Sequence, residues 1–304
     1  MHAQRKDSGI SVMQTKNIGY ILLFITGVLW GTIGIFIKQM DLAGSTPAET
    51  SFLRMFFAFL IMLIFCFIRG GWRSLMIDRK ALLHCVLLGI VCQGISNICY
   101  AFAVTMAGVS VSAVLLNISP VFTLLFSAVI FRENITGKKI LAITLNIVGC
   151  IFTATNGHLD TSALSIIGIL YGIASGVTYG MIAIFGRLAS DQSDPFVTSM
   201  YSYLTGSVFL LICMRLTTPE FFVSAGVISW GFLYALIPTS IAYALYFMGL
   251  QRISETSKAP VITSVMTVVA AFIGIFLYDE QIGKMAILGI IFVMCSILLI
   301  NSNN

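Results

Sequence analysis

The sequence predicts an all-α polytopic membrane protein, with ten transmembrane helices arranged as two inverted five-helix repeats around a central cavity. Three observations predict it. The 304 residues are 58% hydrophobic and only 10% charged, with mean hydropathy +1.00, whereas a soluble domain is about a quarter charged. So little charge cannot cover a water-facing surface. Apolar runs recur along the chain, each near the roughly 20 residues that cross a bilayer core. The alternating segments of about 10 residues that a membrane β-barrel needs are missing. Finally, the phrase GVLWGTIGIFIK at 27–38 returns as GVTYGMIAIFGR at 176–187.

The basic start MHAQRKDSGISVMQTK reads as a cytoplasmic tail over 1–17. It leads into a full-length span, so the first span is expected to stay in place. Span one covers 18–38 and carries Gly27, Gly31 and, near its middle, Trp30. Its mid-span position argues against an interfacial anchor, which leaves packing or stacking on a substrate or cation. Span two, 48–68, holds Arg54 about 9 Å inside its start at 1.5 Å per residue. That charge either snorkels outward or meets an anionic group.

Span three, 81–104, carries Gln93, Asn97 and Tyr100 at i, i+4, i+7, a single narrow stripe on a helix. Span four, 109–131, carries Asn117 and Ser119, and Pro120 predicts a kink there. Span five is 138–155. Glu133, between spans four and five, reads as a helix cap or loop ion pair, and so does Glu280 after span nine.

Span six, 163–187, repeats the opening phrase with Tyr179 in place of Trp30, and lines up Gly168, Gly172, Gly176 and Gly180 at four-residue spacing. Such glycine faces let helix backbones approach closely, and they are smooth enough to slide. Span seven is 195–214. Span eight, 227–249, places Thr239, Tyr243 and Tyr246 at the register of the span-three stripe, with Ser240 beside them. Span nine, 257–277, carries Thr263 and Ser264 where span four has its polar pair. It has Thr267 where span four has Pro120, so no matching kink is expected. Span ten is 284–301. Polar side chains inside a bilayer face the protein interior or a wet cavity, so the two stripes serve either helix-to-helix hydrogen bonds or a central cavity.

Charge fixes the expected orientation. With the N-terminus inside, thirteen Lys and Arg side chains fall on the cytoplasmic side. Only Lys38, Arg215 and Lys284 fall outside, and Arg54 lies within a span. This bias places both termini in the cytoplasm, and the protein in the cell membrane as a multi-pass chain. Five spans are an odd number, so the second half starts on the opposite side. The halves are expected at 18–155 and 156–304, a construction common among secondary transporters.

LWGTIGIFIK, FLRMFFAFL, the run NISPVFTLLFSAVIFRENITGKKILAITLNIVGCIF and its later echo FLYDEQIGKMAILGIIFVMCSILLI resemble the EamA-like branch of the drug/metabolite transporter superfamily. The resemblance covers nearly the whole chain. It implies ten helices, a central substrate cavity and transport of small metabolites such as amino acids, amines or carboxylates, with export favoured over import. It also implies a basic residue near Arg54, in a structural or substrate-binding role. Trp30 and Tyr179 are then expected to stack on substrate, and Gln93, Asn97, Tyr100, Tyr243 and Tyr246 to hydrogen-bond to it.

Other chemistries lack their residues. No carboxylate sits deep in a span, and Glu49 at the mouth of span two comes nearest. There is no Walker A sequence. His84 has no HExxH or paired acid, and the seven cysteines form no CxxC. No metal or other cofactor is expected, and the net charge of +5 is no nucleic-acid signal. The expected partners are a small-molecule metabolite and the lipid bilayer. An intramembrane enzyme acting on lipid-linked substrates would need a clustered nucleophile, acid or metal set, and a channel or scaffold is the third class.

Overall fold

The computed structural model describes residues 2–157, 165–217, 224–279, 281 and 283–302. Glu280 therefore lies outside the described residues. Ten helices are long and apolar enough to cross a membrane: α1 Asn17–Leu42, α2 Pro47–Ser74, α3 Arg79–Ala107, α4 Val111–Ile130, α5 Gly137–Thr155, α6 Ile166–Ser190, α7 Pro195–Leu216, α8 Ala225–Arg252, α9 Thr256–Tyr278 and α10 Lys284–Asn301. No strand occurs among the described residues. The chain is an all-α polytopic membrane protein. Large apolar side chains such as Val129, Ile166, Leu216 and Phe276 stay 78–81% exposed, as expected where lipid replaces water. The helix of α1 continues back to His2, so the expected tail is helical.

Short polar residues start the helices. Thr46 and Glu49 form a reciprocal cap on α2, with Pro47 in the first turn. Asp194 does the same work for α7 by accepting from the Phe196 amide at 2.9 Å, again beside a proline. One residue further out, Ser45 bonds Thr50 at 3.0 Å and Ser193 bonds Thr198 at 2.7 Å. The α2 helix turns at Gly71, whose φ of 61° is open to glycine.

Packing is by pairs. α1 lies on α8 and α9, α6 lies on α3 and α4, α2 meets α7, and α5 meets α10. Hydroxyls tie these pairs together: Thr26 donates to the Ala242 carbonyl at 3.2 Å, and Thr123 to the Gly180 carbonyl at 2.8 Å. Two ends result. One gathers the starts of α2 and α8 and the ends of α3 and α7. The other, here the charged end, gathers the loops near residues 132–139 and 253–258.

Besides the break of α1 at Thr32 and the turn of α2 at Gly71, four helices are irregular near their middles. α3 widens to a π-helix over Leu88–Ile95, and α8 over Ala235–Ile241. Pro238 explains the second, because it removes a backbone donor. α4 breaks at Asn117–Ile118, just ahead of Pro120. α9 breaks at Ser264, although Thr267 stands where α4 has its proline. The expectation of an unbroken span nine is therefore corrected. Thr263 donates to the Ala259 carbonyl at 3.1 Å and Ser264 to the Val261 carbonyl, and such back-bonding bends a helix with no proline just beyond the break.

Candidate functional site

The irregular segments surround a cluster of rings. Trp30 of α1 lies 5.0 Å from Tyr243 and 5.2 Å from Tyr246 of α8, centre to centre. Tyr203 of α7 meets Tyr243 edge-on at 6.0 Å and donates its hydroxyl to the Thr239 carbonyl at 3.0 Å. Phe247 closes the back of the cluster, 5.9 Å from Tyr243. Aromatic pairs of this kind contribute about 0.5–1.5 kcal/mol each beyond burial. Tyr179 and Trp30, the matched positions of the repeated phrase, line one small cavity with Tyr246, Thr123 and Thr263. Its volume is about 20 Å³, room for one water.

Trp30 Nε1 is buried without a partner in this cluster, as are both polar side-chain atoms of Gln93 on α3 and Ser240 Oγ on α8. Leaving such a group unbonded costs about 1–3 kcal/mol. The π-helix places Gln93 among buried residues yet gives its amide nothing to bind. Arg54 of α2 points inward, with its guanidinium carbon 5.4 Å from the centre of the Tyr234 ring. It interacts electrostatically with Tyr203, Tyr234 and Tyr243.

Above this cluster opens a vestibule of about 590 Å³ between the start of α2 and the ends of α3 and α7, lined by Ser51, Asn97, Ala101, Thr105, Leu210 and Met214. On each helix these residues continue a stripe that begins at the cluster. Ser51 is one turn from Arg54, Asn97 one turn from Gln93, and Leu210 two turns from Tyr203. The vestibule thus lies one or two helical turns from Arg54, Gln93 and Tyr203 along α2, α3 and α7.

Contacts cross the charged end, beside a cavity of about 150 Å³ lined by Thr136, Lys139, Glu255 and Lys258. Arg69 pairs with Asp194 at 2.9 Å, and Phe65 meets Phe196 at 4.8 Å. Deeper in, Lys139 lies 2.7 Å from Glu255 and 3.7 Å from Glu133. Glu133 accepts from the Ser257 amide at 3.2 Å and from its hydroxyl at 2.6 Å, capping the start of α9. Arg187 donates to Thr256 at 2.8 Å. Counting from the shared Gly-Lys at 137–138 and 283–284, Met285 stands at the place of Lys139, and Ser112 stands 146 residues before Lys258.

The remaining expected residues are placed as follows. Asn97 donates to the Gln93 carbonyl and lines the vestibule. Tyr100 is part-buried and joins neither group. Asn117 donates to the Ala113 carbonyl of its own helix at 2.9 Å. Thr239 bonds the Tyr234 carbonyl at 2.9 Å. Ser264 accepts from Asn146, which also donates to Ser296 at 3.0 Å, so it belongs to a knot joining α5, α9 and α10. The glycines are close-approach points. A Cβ on Gly27 would stand 2.5 Å from Val265, and one on Gly176 would stand 2.6 Å from the Leu115 carbonyl. Gly31 faces Val269, while Gly168, Gly172 and Gly180 face the end of α3 and the wall of α4. His84 carries a buried, unpartnered Nδ1 away from the cluster.

Sequence reasoning missed Tyr203 and Tyr234. The signal for Tyr203 was the hydroxyl-rich run TSMYSYLTGS at 198–207, an unusual density inside an apolar span. Among the described residues no group of three or more His, Cys, Asp or Glu side chains could hold a metal.

Comparison with known proteins bears on this arrangement. The sequence model described as the EamA-like transporter family matches residues 17–155 and 166–302. A protein named "Uncharacterized transporter" from Archaeoglobus fulgidus is 26% identical over 284 residues, which is 92% of this chain and 95% of that protein. The "Uncharacterized transporter YyaM" of Bacillus subtilis is 24% identical over 260 residues, 83% and 84% of the two chains. A solved crystal structure superposes with TM-score 0.79 at 13% identity, over 92% of this chain and 97% of the other, a likeness of fold.

Proposed function

Since the chain belongs to the EamA-like transporter family, and so moves small molecules across a membrane, we propose that it carries a small polar or amphiphilic metabolite by alternating access. The substrate path runs from the vestibule to the ring cluster. The observation that carries this reading is the contrast between the two ends. The vestibule of about 590 Å³ opens toward the level of the unpartnered polar atoms, while the corresponding region around Phe65, Arg69 and Asp194 is bridged by an ion pair and a tilted ring pair. A continuous pore would leave both ends open.

The two-halves reading, with inverted repeats at 18–155 and 156–304, has three supports. The family match falls in two segments. The caps at Thr46 and Asp194 and the hydroxyl pairs beside them repeat. The helix irregularities recur at the same depth in α3 and α8 and in α4 and α9. Two such units related by an in-plane axis exchange open and closed ends by rocking. The charged end is the cytoplasmic one in this reading, by the Lys and Arg bias, so both termini are cytoplasmic and the vestibule faces outward. Export is favoured over import on family resemblance.

Trp30 and Tyr179 stack on the substrate, while Gln93, Asn97, Tyr243 and Tyr246 give it hydrogen bonds. Flux into proteoliposomes over a broad panel of amino acids, amines, nucleosides and carboxylates tests the reading. Saturable, protein-dependent flux of at least one solute is expected, and absence of flux across the panel sinks it.

A further inference from the structure

Arg54 is a charge without a counter-charge. Its guanidinium is deep in the bundle, against the ring of Tyr234, itself only 4% exposed. Among the described residues no carboxylate pairs with it. Glu49, the acid nearest along α2, is spent on the Thr46 amide at 2.8 Å. A charge inside a membrane protein is paired or serves a pathway, and three tyrosine hydroxyls do not neutralise a guanidinium.

The second half carries no such charge. The matching position in the other half is Ser202, fully buried and satisfied by the Thr198 carbonyl at 2.7 Å. Nor does Arg54 snorkel to the surface, since its group turns in toward Tyr203, Tyr234 and Tyr243. The residue as a whole retains partial accessibility. Ser51, one turn away on the same helix, lines the vestibule. The unpartnered Trp30 Nε1–H adds a further donor beside Tyr243, one of the rings Arg54 turns toward.

Resting on the transport reading above, we propose that the substrate is a small organic anion whose carboxylate binds Arg54 at the floor of the vestibule. The planar guanidinium fork suits a carboxylate, to which it donates two parallel hydrogen bonds. Substrate binding thus supplies the missing counter-charge. The vestibule volume is in the range of small-molecule sites. A simple amine, which would bring a second positive charge to Arg54, is rejected.

Matched probes test the charge alone. Trp30 becomes the single tryptophan reporter in a Trp72→Phe, Trp230→Phe protein. Its fluorescence is titrated with acetate, benzoate and phenylacetate, with their primary amides, and with benzylamine. At least one carboxylate is expected to change the emission and raise the melting temperature, at a concentration tenfold or more below its amide, and benzylamine is expected to do nothing. Arg54→Gln is expected to erase the preference for carboxylate over amide, and Arg54→Lys to keep part of it.

Equal responses to carboxylate and amide, a response to benzylamine, or no response to any carboxylate overturns the proposal. The unsubstituted Arg54 protein supplies these outcomes even where Arg54→Gln fails to fold. Proteoliposome flux separates the two readings. Flux confined to neutral or cationic solutes overturns the anion and leaves transport standing. Carboxylate binding with no flux of any solute does the reverse.

Discussion

Lys38 Nζ lies 3.5 Å from the centre of the Tyr278 ring, and Arg187 lies 5.3 Å from that of Phe131. Lys38 and Arg187 are the final residues of the phrase that the chain writes twice. Each sits over the aromatic at the end of a neighbouring helix, α9 for Lys38 and α4 for Arg187. The glycines that open the phrase press the same helix pairs together at the other end of the contact. The phrase recurs because each copy docks one helix along its whole length, by close backbone approach at one end and a cation over a ring at the other.

A cation–π contact contributes about 0.5–1 kcal/mol at a partly exposed site. Phe131→Leu is therefore expected to shift the balance between sealed and open charged ends by roughly two- to fivefold. Faster thiol labelling of a Thr136→Cys reporter measures it. Tyr278→Leu is expected to slow the same labelling.

Lys139 and Glu133 are nearly inaccessible, at 4% and 5%. Removing one member of such a pair leaves a buried charge and costs about 3–5 kcal/mol. Lys139→Met is expected to lower stability on that scale, and the added Glu133→Gln change to restore part of it. Thermal unfolding in detergent reads both, and an additive loss in the double variant would contradict the coupling.

The Glu255 carboxyl gives these contacts their pH dependence. Burial alone pushes this group up, but hydrogen bonds and attraction from Lys139 and Lys258 outweigh burial and hold it below the usual glutamate range. A lowered folded pKa means that its contribution is full above the ordinary glutamate value and is lost as pH falls through the lowered one. Labelling of Thr136→Cys is thus expected to stay slow through mildly acidic pH and rise only below the ordinary glutamate range. A rise near neutral pH would contradict it.

Gly176→Ala places a Cβ 2.6 Å from the Leu115 carbonyl, whereas a Cβ on Gly34 meets nothing within 4 Å. Overpacking a tight contact costs about 1–3 kcal/mol. Gly176→Ala is expected to lower the melting temperature and flux together, and Gly34→Ala to leave both unchanged.

Gln93→Leu removes two buried atoms that have no partner. The substituted protein is expected to gain about 1–3 kcal/mol of stability while losing flux. A gain in one and a loss in the other marks a residue kept for its ligand rather than for the fold.

Much of this was legible along the chain, for a physical reason. Each span's length and apolar content are set by the bilayer, so ten helices follow from local reading, and the stripe periodicity placed Tyr243 and Tyr246 on one face before any neighbour was known. Contacts between helices are different. Tyr203 meets Thr239 across 36 residues, and Glu133 reaches Ser257 across 124, and no pattern within one span encodes its partner in another. The break in α9 was hidden because hydroxyl back-bonding does there what proline does in α4. The π-helix of α3 had no proline to announce it.

Lysine stands at 139 and 258 where the proposed second half and its mate offer Met285 and Ser112. In the alternating-access reading proposed above, that asymmetry gives the empty carrier a preferred idle posture, like a turnstile with a spring on one arm.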